Sequence, residues 1–169
     1  MSDATHPSHD DYDEAALQKV RSLIESVRTC MLTSIDPKGG LVSRPMATQE
    51  VEFDGDLWFF SERDSPKVAN VTADPQVNVA FVDDSMWVSV KGQAAIVDDP
   101  DQKDELWNPF VASWFTEGPR HPSIVLIRVH AQSAEYWDSP GTVATAISML
   151  KTKISGGTPT VGENERVAL

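Results

Sequence analysis

The chain has 169 residues and a mass of 18.6 kDa, the size of one domain with or without tails. A net charge of −12 argues against nucleic acid as a partner, because its phosphates would be repelled. No apolar run reaches the roughly 18 residues of a membrane span, and the N-terminal residues lack a signal-peptide pattern, so we expect a cytoplasmic protein. The single cysteine, Cys30, excludes an intramolecular disulfide and is expected to be a small buried hydrophobe.

The first third of the chain predicts one helix followed by three strands. Apolar residues recur at three-to-four spacing over residues 12–28, which predicts an amphipathic helix. The three strands are predicted over residues 29–35, 41–53 and 56–61. Pro45 interrupts the second of these strands. Asp54-Gly55 predicts a short hairpin turn from the second strand into the third.

The rest of the chain predicts three more strands, with helices between them. The strands cover residues 76–82, 86–97 and 123–138, the last with a bulge. The helices cover residues 66–73, 100–107 with an irregular continuation to 116, and 142–154. Six strands in near-hairpin order predict an antiparallel barrel of the α+β class over residues 12–154. Residues 1–11 form an acidic flexible tail, and residues 155–169 a polar, loosely ordered one.

A lysine stands in the first turn of the predicted helix 66–73, where it opposes the helix dipole. Ser65 suits the N-cap and the proline after it suits the first helical position. Lys67 then costs about 0.3–1 kcal/mol at an exposed site. A bound phosphate would reverse this cost, and Ser61, Ser65 and Lys67 could converge on one such anion. A solvated lysine paired with a neighbouring carboxylate explains the pattern equally well.

Other candidate binding residues lie on the predicted strands. Pro45 lacks a ladder donor, so its strand is an edge or is locally unpaired, and its free backbone groups could bind the edge of a heterocycle. Arg44 beside it could bind a phosphate or a ring carbonyl, although a solvated arginine on a blunted edge strand is the simpler interpretation. Trp87 and Trp137 are near strand ends, where a planar ligand or a partner subunit could contact them.

Five segments in this order resemble one known family: SRPMATQ, LWFFSERDSPKVANV, VNVAFVD, WVSVKGQAAIV and EYWDSPG. Together they are similar to the pyridoxamine 5′-phosphate oxidase-like split-barrel flavoproteins, and most of all to their general stress protein branch. The resemblance covers residues 12–154. It implies a six-stranded split barrel with peripheral helices that forms a homodimer and binds FMN in a groove at the subunit junction.

The resemblance also implies roles for individual residues. Residues 44–46 would run along the isoalloxazine ring, Ser61, Ser65 and Lys67 would hold the FMN phosphate, and the two tryptophans would close the site from the partner subunit. The full set of implied cofactor-binding residues is Arg44, Pro45, Met46, Phe60, Ser61, Ser65, Lys67, Trp87 and Trp137.

Two departures from the family pattern limit what can be carried over. The oxidases proper grip substrate phosphate with a basic segment after the aromatic pair, but this chain has DSPGTVATAIS there, so vitamin B6 phosphate oxidation is not expected. The family's arginine is also lost at Pro66, which leaves the choice between FMN and FAD open.

The expected function is therefore that of an FMN-dependent oxidoreductase linked to the stress response, acting on a small-molecule reductant or substrate. The flavin carries the chemistry, and no catalytic side chain is predicted. The four scattered histidines and single cysteine predict no metal site. Two alternatives remain open: a flavin sensor or reservoir with little turnover, and a relative that uses deazaflavin F420.

Overall fold

The computed structural model describes residues 14–138 and 163–169, which form seven strands and four helices. The strands are β1 (Thr29–Ile35), β2 (Leu41–Ala47), β3 (Asp56–Glu62), β4 (Gln76–Asp83), β5 (Met86–Val97), β6 (Ile124–Asp138) and β7 (Glu163–Ala168). The helices are α1 (Glu14–Ile24), α2 (Pro66–Ala73), α3 (Pro100–Leu106) and α4 (Pro109–Ala112). The predicted helix over 142–154 and the predicted acidic tail lie outside the described residues.

The strands form one antiparallel sheet in the order β2-β1-β4-β5-β6-β3, with β7 also paired to β6. The long β6 has two partners along the same edge, because residues 124–130 pair with β3 and residues 133–138 pair with β7. β2 and β3 stand at opposite ends of this order without pairing, so the sheet is not closed. The predicted α+β antiparallel architecture is confirmed, and the sheet has seven strands instead of six. β7 lies within the segment that was predicted to be loosely ordered.

The hairpin predicted at Asp54-Gly55 is wrong. β2 ends at Ala47, and β3 pairs with β6, so that Phe59 lies opposite Ile127. Gly55 does make a turn, with φ of 108°, but its carbonyl oxygen accepts a hydrogen bond from the backbone N–H of Ala131 at 2.8 Å. The turn therefore directs β3 onto β6, whose edge can satisfy the backbone groups of β3.

The predicted bulge in β6 is confirmed. Lys91 of β5 lies opposite Ser133, whereas the next residue, Gly92, lies opposite Ala131, so β6 contains one extra residue at this point. The backbones approach closely here. A Cβ atom on Gly92 would lie 2.5 Å from the carbonyl oxygen of His130. Only glycine therefore fits at position 92, where the β5 and β6 backbones approach each other so closely.

Many strand side chains point into a main core, which α1 and α2 cover, while a second, smaller cluster joins β3 and β6 to α3 and α4. Val20 of α1, Val71 of α2 and Phe81 of β4 are among the buried residues of this core. The expected burial of Cys30 is confirmed, because only 2% of the residue is exposed. Burial raises the pKa of the Cys30 thiol to about 12, so the thiol stays protonated and unreactive near neutral pH.

No helix within residues 14–138 and 163–169 has the length and apolar character needed to cross a membrane.

Candidate functional site

A pocket of about 350 Å³ lies beside β2, at the start of α2 and around α4. This volume is within the range of about 300–1,000 Å³ that is common for small-molecule sites. Its lining comprises Thr29, Pro45, Met46, Ala47, Gln49, Phe60, Lys67, Phe110, Val111, Trp114 and Phe115. The structure thus brings Pro45, Met46, Phe60 and Lys67 of the predicted set to one cavity. β2 is an edge strand, which was one of the two arrangements predicted from the missing ladder donor of Pro45.

Lys67 in the lining of this pocket is influenced by a second cation, Arg44, which is not part of the lining. The pKa of Lys67 is lowered, first by burial of its ammonium and then by the positive charge of Arg44, while Glu62 acts in the opposite direction. Arg44 donates a hydrogen bond to Ser34 Oγ at 3.3 Å, and Asn70 of α2 donates to the same oxygen at 3.2 Å. Neither cation forms an ion pair with a carboxylate of the described residues. The attraction of an anion placed here would offset both the desolvation of the ammonium and the repulsion from Arg44.

The two predicted serines lie together at the start of α2. Ser61 is fully buried at the end of β3, and its Oγ is 3.0 Å from Ser65 Oγ. Ser65 is the N-cap of α2, but its hydroxyl makes no capping hydrogen bond, and its carbonyl oxygen accepts from the backbone N–H groups of Val68 and Ala69 at 3.1 and 3.2 Å. The serines are outside the pocket lining, and Lys67 connects their cluster with the pocket.

Trp87 and Trp137 do not reach this pocket within one chain. They lie opposite each other on β5 and β6, with Val82 of β4 on the other side of Trp87. The tryptophans are 43% and 38% exposed, and the valine is exposed as well. Together Val82, Trp87 and Trp137 form an apolar row on the outer face of the sheet. A contribution of these tryptophans to the site of a second subunit stays a prediction.

Several aromatic residues of the pocket were not predicted as site residues. Phe110 and Trp114 pack edge to face, with ring centroids 6.5 Å apart, and Trp114 is 71% exposed at the pocket. Phe115 lies against Phe60, with centroids 6.3 Å apart. All three come from α4 and the turn after it, which the sequence predicted only as an irregular helical continuation. The density of aromatic residues in NPFVASWF was the signal that could have identified them.

A larger cavity of about 460 Å³ lies between α1, residues 48–53 and β3, but it is the weaker candidate. Its two arginines are already neutralised, because Arg21 pairs with Glu52 and Arg28 pairs with Glu50 at 2.6 Å. The cavity therefore has no cation that needs a ligand. Gln49 lines both cavities. No three His, Cys, Asp or Glu side chains within the described ranges are arranged to hold a metal ion.

Comparison with known proteins agrees with this fold. Residues 15–160 match the family model described as pyridoxamine 5′-phosphate oxidase like. Protein bli-3 of Neurospora crassa is 30% identical over 155 residues, covering 85% of this chain and 74% of that protein.

Solved structures extend the comparison. A general stress FMN/FAD binding protein from Xanthomonas citri is 30% identical, with a TM-score of 0.64 over 76% of this chain and 92% of that chain. A structure described as general stress protein 26 from Jannaschia sp. CCS1 has a TM-score of 0.75 over 92% of this chain and 99% of that chain. At 24% identity, the second similarity supports the fold alone.

Proposed function

The chain belongs to the pyridoxamine 5′-phosphate oxidase-like family, and from this premise we propose that it binds FMN in the pocket beside β2, α2 and α4. The observation that carries the proposal is the pair of cations, Arg44 and half-buried Lys67, without a carboxylate partner among the described residues. The Xanthomonas citri relative, which is named for FMN/FAD binding, supports the same class of cofactor.

The residues present fit FMN at both of its ends. Lys67 and Arg44 offer positive charge to a phosphate, the N-terminus of α2 adds the positive end of its dipole, and Ser61 with Ser65 adds hydroxyls. Apolar and aromatic side chains offer a surface for a planar ring. A terminal phosphate carries up to two negative charges, which two cations can match. We therefore propose FMN before FAD.

The protein's part in an oxidoreductase reaction would be to bind, orient and shield. A bound flavin supplies the hydride or electron chemistry. Met46 and Phe60 would form a buried wall for the ring, whereas the exposed Phe110 and Trp114 would cover its other side. Lys67 is the one titratable side chain in the pocket lining, and its ammonium would be held by the phosphate. We therefore assign no acid or base.

We further propose that two copies associate through the outer face of the sheet. Val82, Trp87 and Trp137 place a row of exposed apolar side chains there, and such patches on a protein surface mark interaction sites. A two-fold symmetric dimer would bury the row of each copy against the other. The tryptophans of one copy could then approach the pocket of the other, as the family resemblance implies.

A flavin reservoir or sensor is the second candidate. The pocket lining contains no titratable group apart from Lys67, and the basic substrate-binding segment of the oxidases is absent from the sequence. Both features favour binding without substrate turnover. Steady-state oxidation of NADH or NADPH by the FMN-loaded protein separates the two functions. Measurable turnover contradicts the reservoir, and its absence with a range of electron acceptors contradicts the oxidoreductase.

The binding proposal is tested by titrating the purified protein separately with FMN, FAD, riboflavin and F420. We expect quenching of flavin fluorescence with FMN at the lowest concentration, and weaker binding of riboflavin because it has no phosphate. Equal affinity for FMN and riboflavin would contradict the phosphate site. Failure to bind any of the four would contradict the proposed function as a whole.

A further inference from the structure

We propose that Gln49 donates a hydrogen bond from Nε2 to an acceptor atom on the edge of the bound heterocycle, and that Asn108 holds Gln49 in the orientation that presents this donor. The acceptor is a ring carbonyl oxygen or an unprotonated ring nitrogen. The inference rests on the proposed function, since it assigns a specificity contact to the ring that occupies the pocket.

The first observation is an unsatisfied donor on Gln49, a residue that lines this pocket and also the larger cavity. Gln49 Nε2 is buried, and it is the one buried side-chain nitrogen or oxygen within residues 14–138 and 163–169 that has no hydrogen-bond partner. A buried polar group without a partner destabilises the fold, because it has lost its hydrogen bonds to water. Native folds rarely keep such a group unless a ligand, ion or water satisfies it.

The second observation is that α4 determines the orientation of Asn108. Asn108 is the N-cap of α4, and its Oδ1 accepts hydrogen bonds from the backbone N–H groups of Phe110 and Val111, both at 3.0 Å. The amide oxygen of Asn108 must therefore face the helix, and its nitrogen must face away from it. The helix cap thus fixes which side of this amide is a donor.

Asn108 in turn determines the orientation of Gln49. Asn108 Nδ2 donates to Gln49 Oε1 at 3.1 Å. Rotating the Gln49 amide by half a turn would place its NH₂ against the NH₂ of Asn108, two donors without an acceptor between them. Gln49 is therefore held with its oxygen toward Asn108, and Nε2 is left as the donor without a partner.

The chemistry of the pocket defines what this donor binds. The lining is largely apolar and aromatic, with Lys67 as its charged member, so the ligand has a flat apolar body and an anionic group. A neutral N–H donor in such a wall recognises a carbonyl oxygen or a ring nitrogen at the edge of that body. Sites built around such a contact discriminate strongly against ligands that lack the matching group, because the donor is then left unpaired.

The test uses the full-length protein and two variants of Gln49. Gln49→Met removes the donor at similar length and is expected to weaken FMN and riboflavin binding by the same factor, about tenfold for one neutral hydrogen bond. Gln49→Glu keeps an acceptor for Asn108 but replaces the Nε2 donor by a carboxylate oxygen. Its riboflavin affinity should be low at neutral pH and should recover as the pH falls, because a protonated carboxyl group is again a donor. The wild type should show no such recovery.

Asn108→Asp serves as the positioning variant. The aspartate keeps an oxygen for the α4 cap but offers a second oxygen to Gln49, so the Gln49 amide should rotate and present its oxygen to the pocket. We expect riboflavin affinity to fall with unchanged thermal stability, and combination with Gln49→Met to cause no further loss.

The outcomes separate this inference from the proposed function. Wild-type affinity of both Gln49→Met and Gln49→Glu for riboflavin would overturn the inference, since the donor would then serve only a water molecule. Loss of affinity without recovery of Gln49→Glu at low pH would also overturn it. A wild-type protein that binds no flavin would overturn the proposed function itself.

Discussion

Replacing Lys67 by methionine is expected to weaken FMN binding and, at the same time, to stabilise the protein without ligand. A hydrogen bond between an ammonium and a phosphate contributes about 1.5–3 kcal/mol. Its loss corresponds to about a 10- to 150-fold weaker affinity, at 1.36 kcal/mol for each factor of ten. Riboflavin, which lacks the phosphate, should bind the variant and the wild type equally.

The stabilising effect follows from where the ammonium lies. Lys67 stands in the first turn of α2, where a cation opposes the helix dipole by about 0.3–1 kcal/mol. Burial and Arg44 also lower its pKa, which means that the folded state disfavours the charged form. Methionine retains the apolar stem and a similar helix propensity. The free energy of unfolding without ligand should therefore rise by up to about 1 kcal/mol.

The pH dependence has opposite signs for the two quantities. Between the lowered folded-state pKa of Lys67 and its ordinary value of 10.5, the unfolded chain binds more protons than the folded chain. The stability of the wild type without ligand therefore gains from Lys67 as the pH rises through this window. FMN affinity falls over the same rise, because the ammonium that holds the phosphate is lost. Lys67→Met should show neither change.

The assay combines urea unfolding with fluorescence titrations of FMN and riboflavin. Lys38→Met is the matched control, because Lys38 is exposed in the turn between β1 and β2 and its loss changes the net charge by the same amount. A variant that loses stability without ligand, or that loses FMN and riboflavin affinity equally, would refute the reasoning.

Three further predictions concern the framework around the site. Asp98→Asn should destabilise the fold by about 1–3 kcal/mol in urea unfolding, because buried Lys103 loses the negative charge 2.7 Å from its Nζ and keeps only neutral acceptors such as the Ile124 carbonyl oxygen. This figure is reduced because Asp98 is partly exposed. Hydrogen bonds from Lys103 and Arg63 lower the pKa of Asp98. The contribution of Asp98 to the free energy of unfolding is therefore complete above pH 3.8 and is lost as the pH falls through the lower folded-state pKa. The variant should lack this acid dependence. Trp87→Arg should convert a dimer into a monomer in sedimentation experiments and weaken FMN binding, and an unchanged mass would contradict the proposed interface. Gly92→Ala should cost about 1–3 kcal/mol in thermal unfolding, because its Cβ meets a β6 carbonyl oxygen at 2.5 Å.

The sequence predicted individual strands well and their pairing less well. The bounds of β1, α2 and β5 agree with the prediction, because alternation, caps and turns are local properties of the chain. Asp54-Gly55 is a good turn, but a turn does not encode which edge the following strand meets. β3 pairs with β6, more than sixty residues later, and only the assembled sheet makes that edge available.

β7 was missed because its sequence, ENERVA, carries few apolar residues. An edge strand of this kind is stabilised by its partner instead of by its own burial. Tyr136 of β6 donates a hydrogen bond to a carboxylate oxygen of Glu165 at 2.8 Å, a contact that no local pattern predicts.

For the candidate site, the sequence predicted residues that conflict with a local rule of helix or strand structure. It did not predict residues that come to the pocket only through tertiary packing. Lys67 stands out because a cation at a helix N-terminus breaks a simple electrostatic rule. Gln49 breaks no local rule, and its donor becomes conspicuous only when Asn108 occupies its oxygen. Trp114 similarly becomes part of a pocket only because α4 packs beside β2 and Phe60.

Lys67 and Gln49 violate two unrelated rules of stability in one cavity. The first is a charge placed beside like charge, and the second is a buried donor without an acceptor. Natural folds keep such conflicts mainly where a function requires them. In the larger cavity Arg21 and Arg28 are paired with carboxylates, so the same argument gives no reason for a ligand there. One ligand that carries an anionic group and a ring-edge acceptor would resolve both conflicts, and FMN has both.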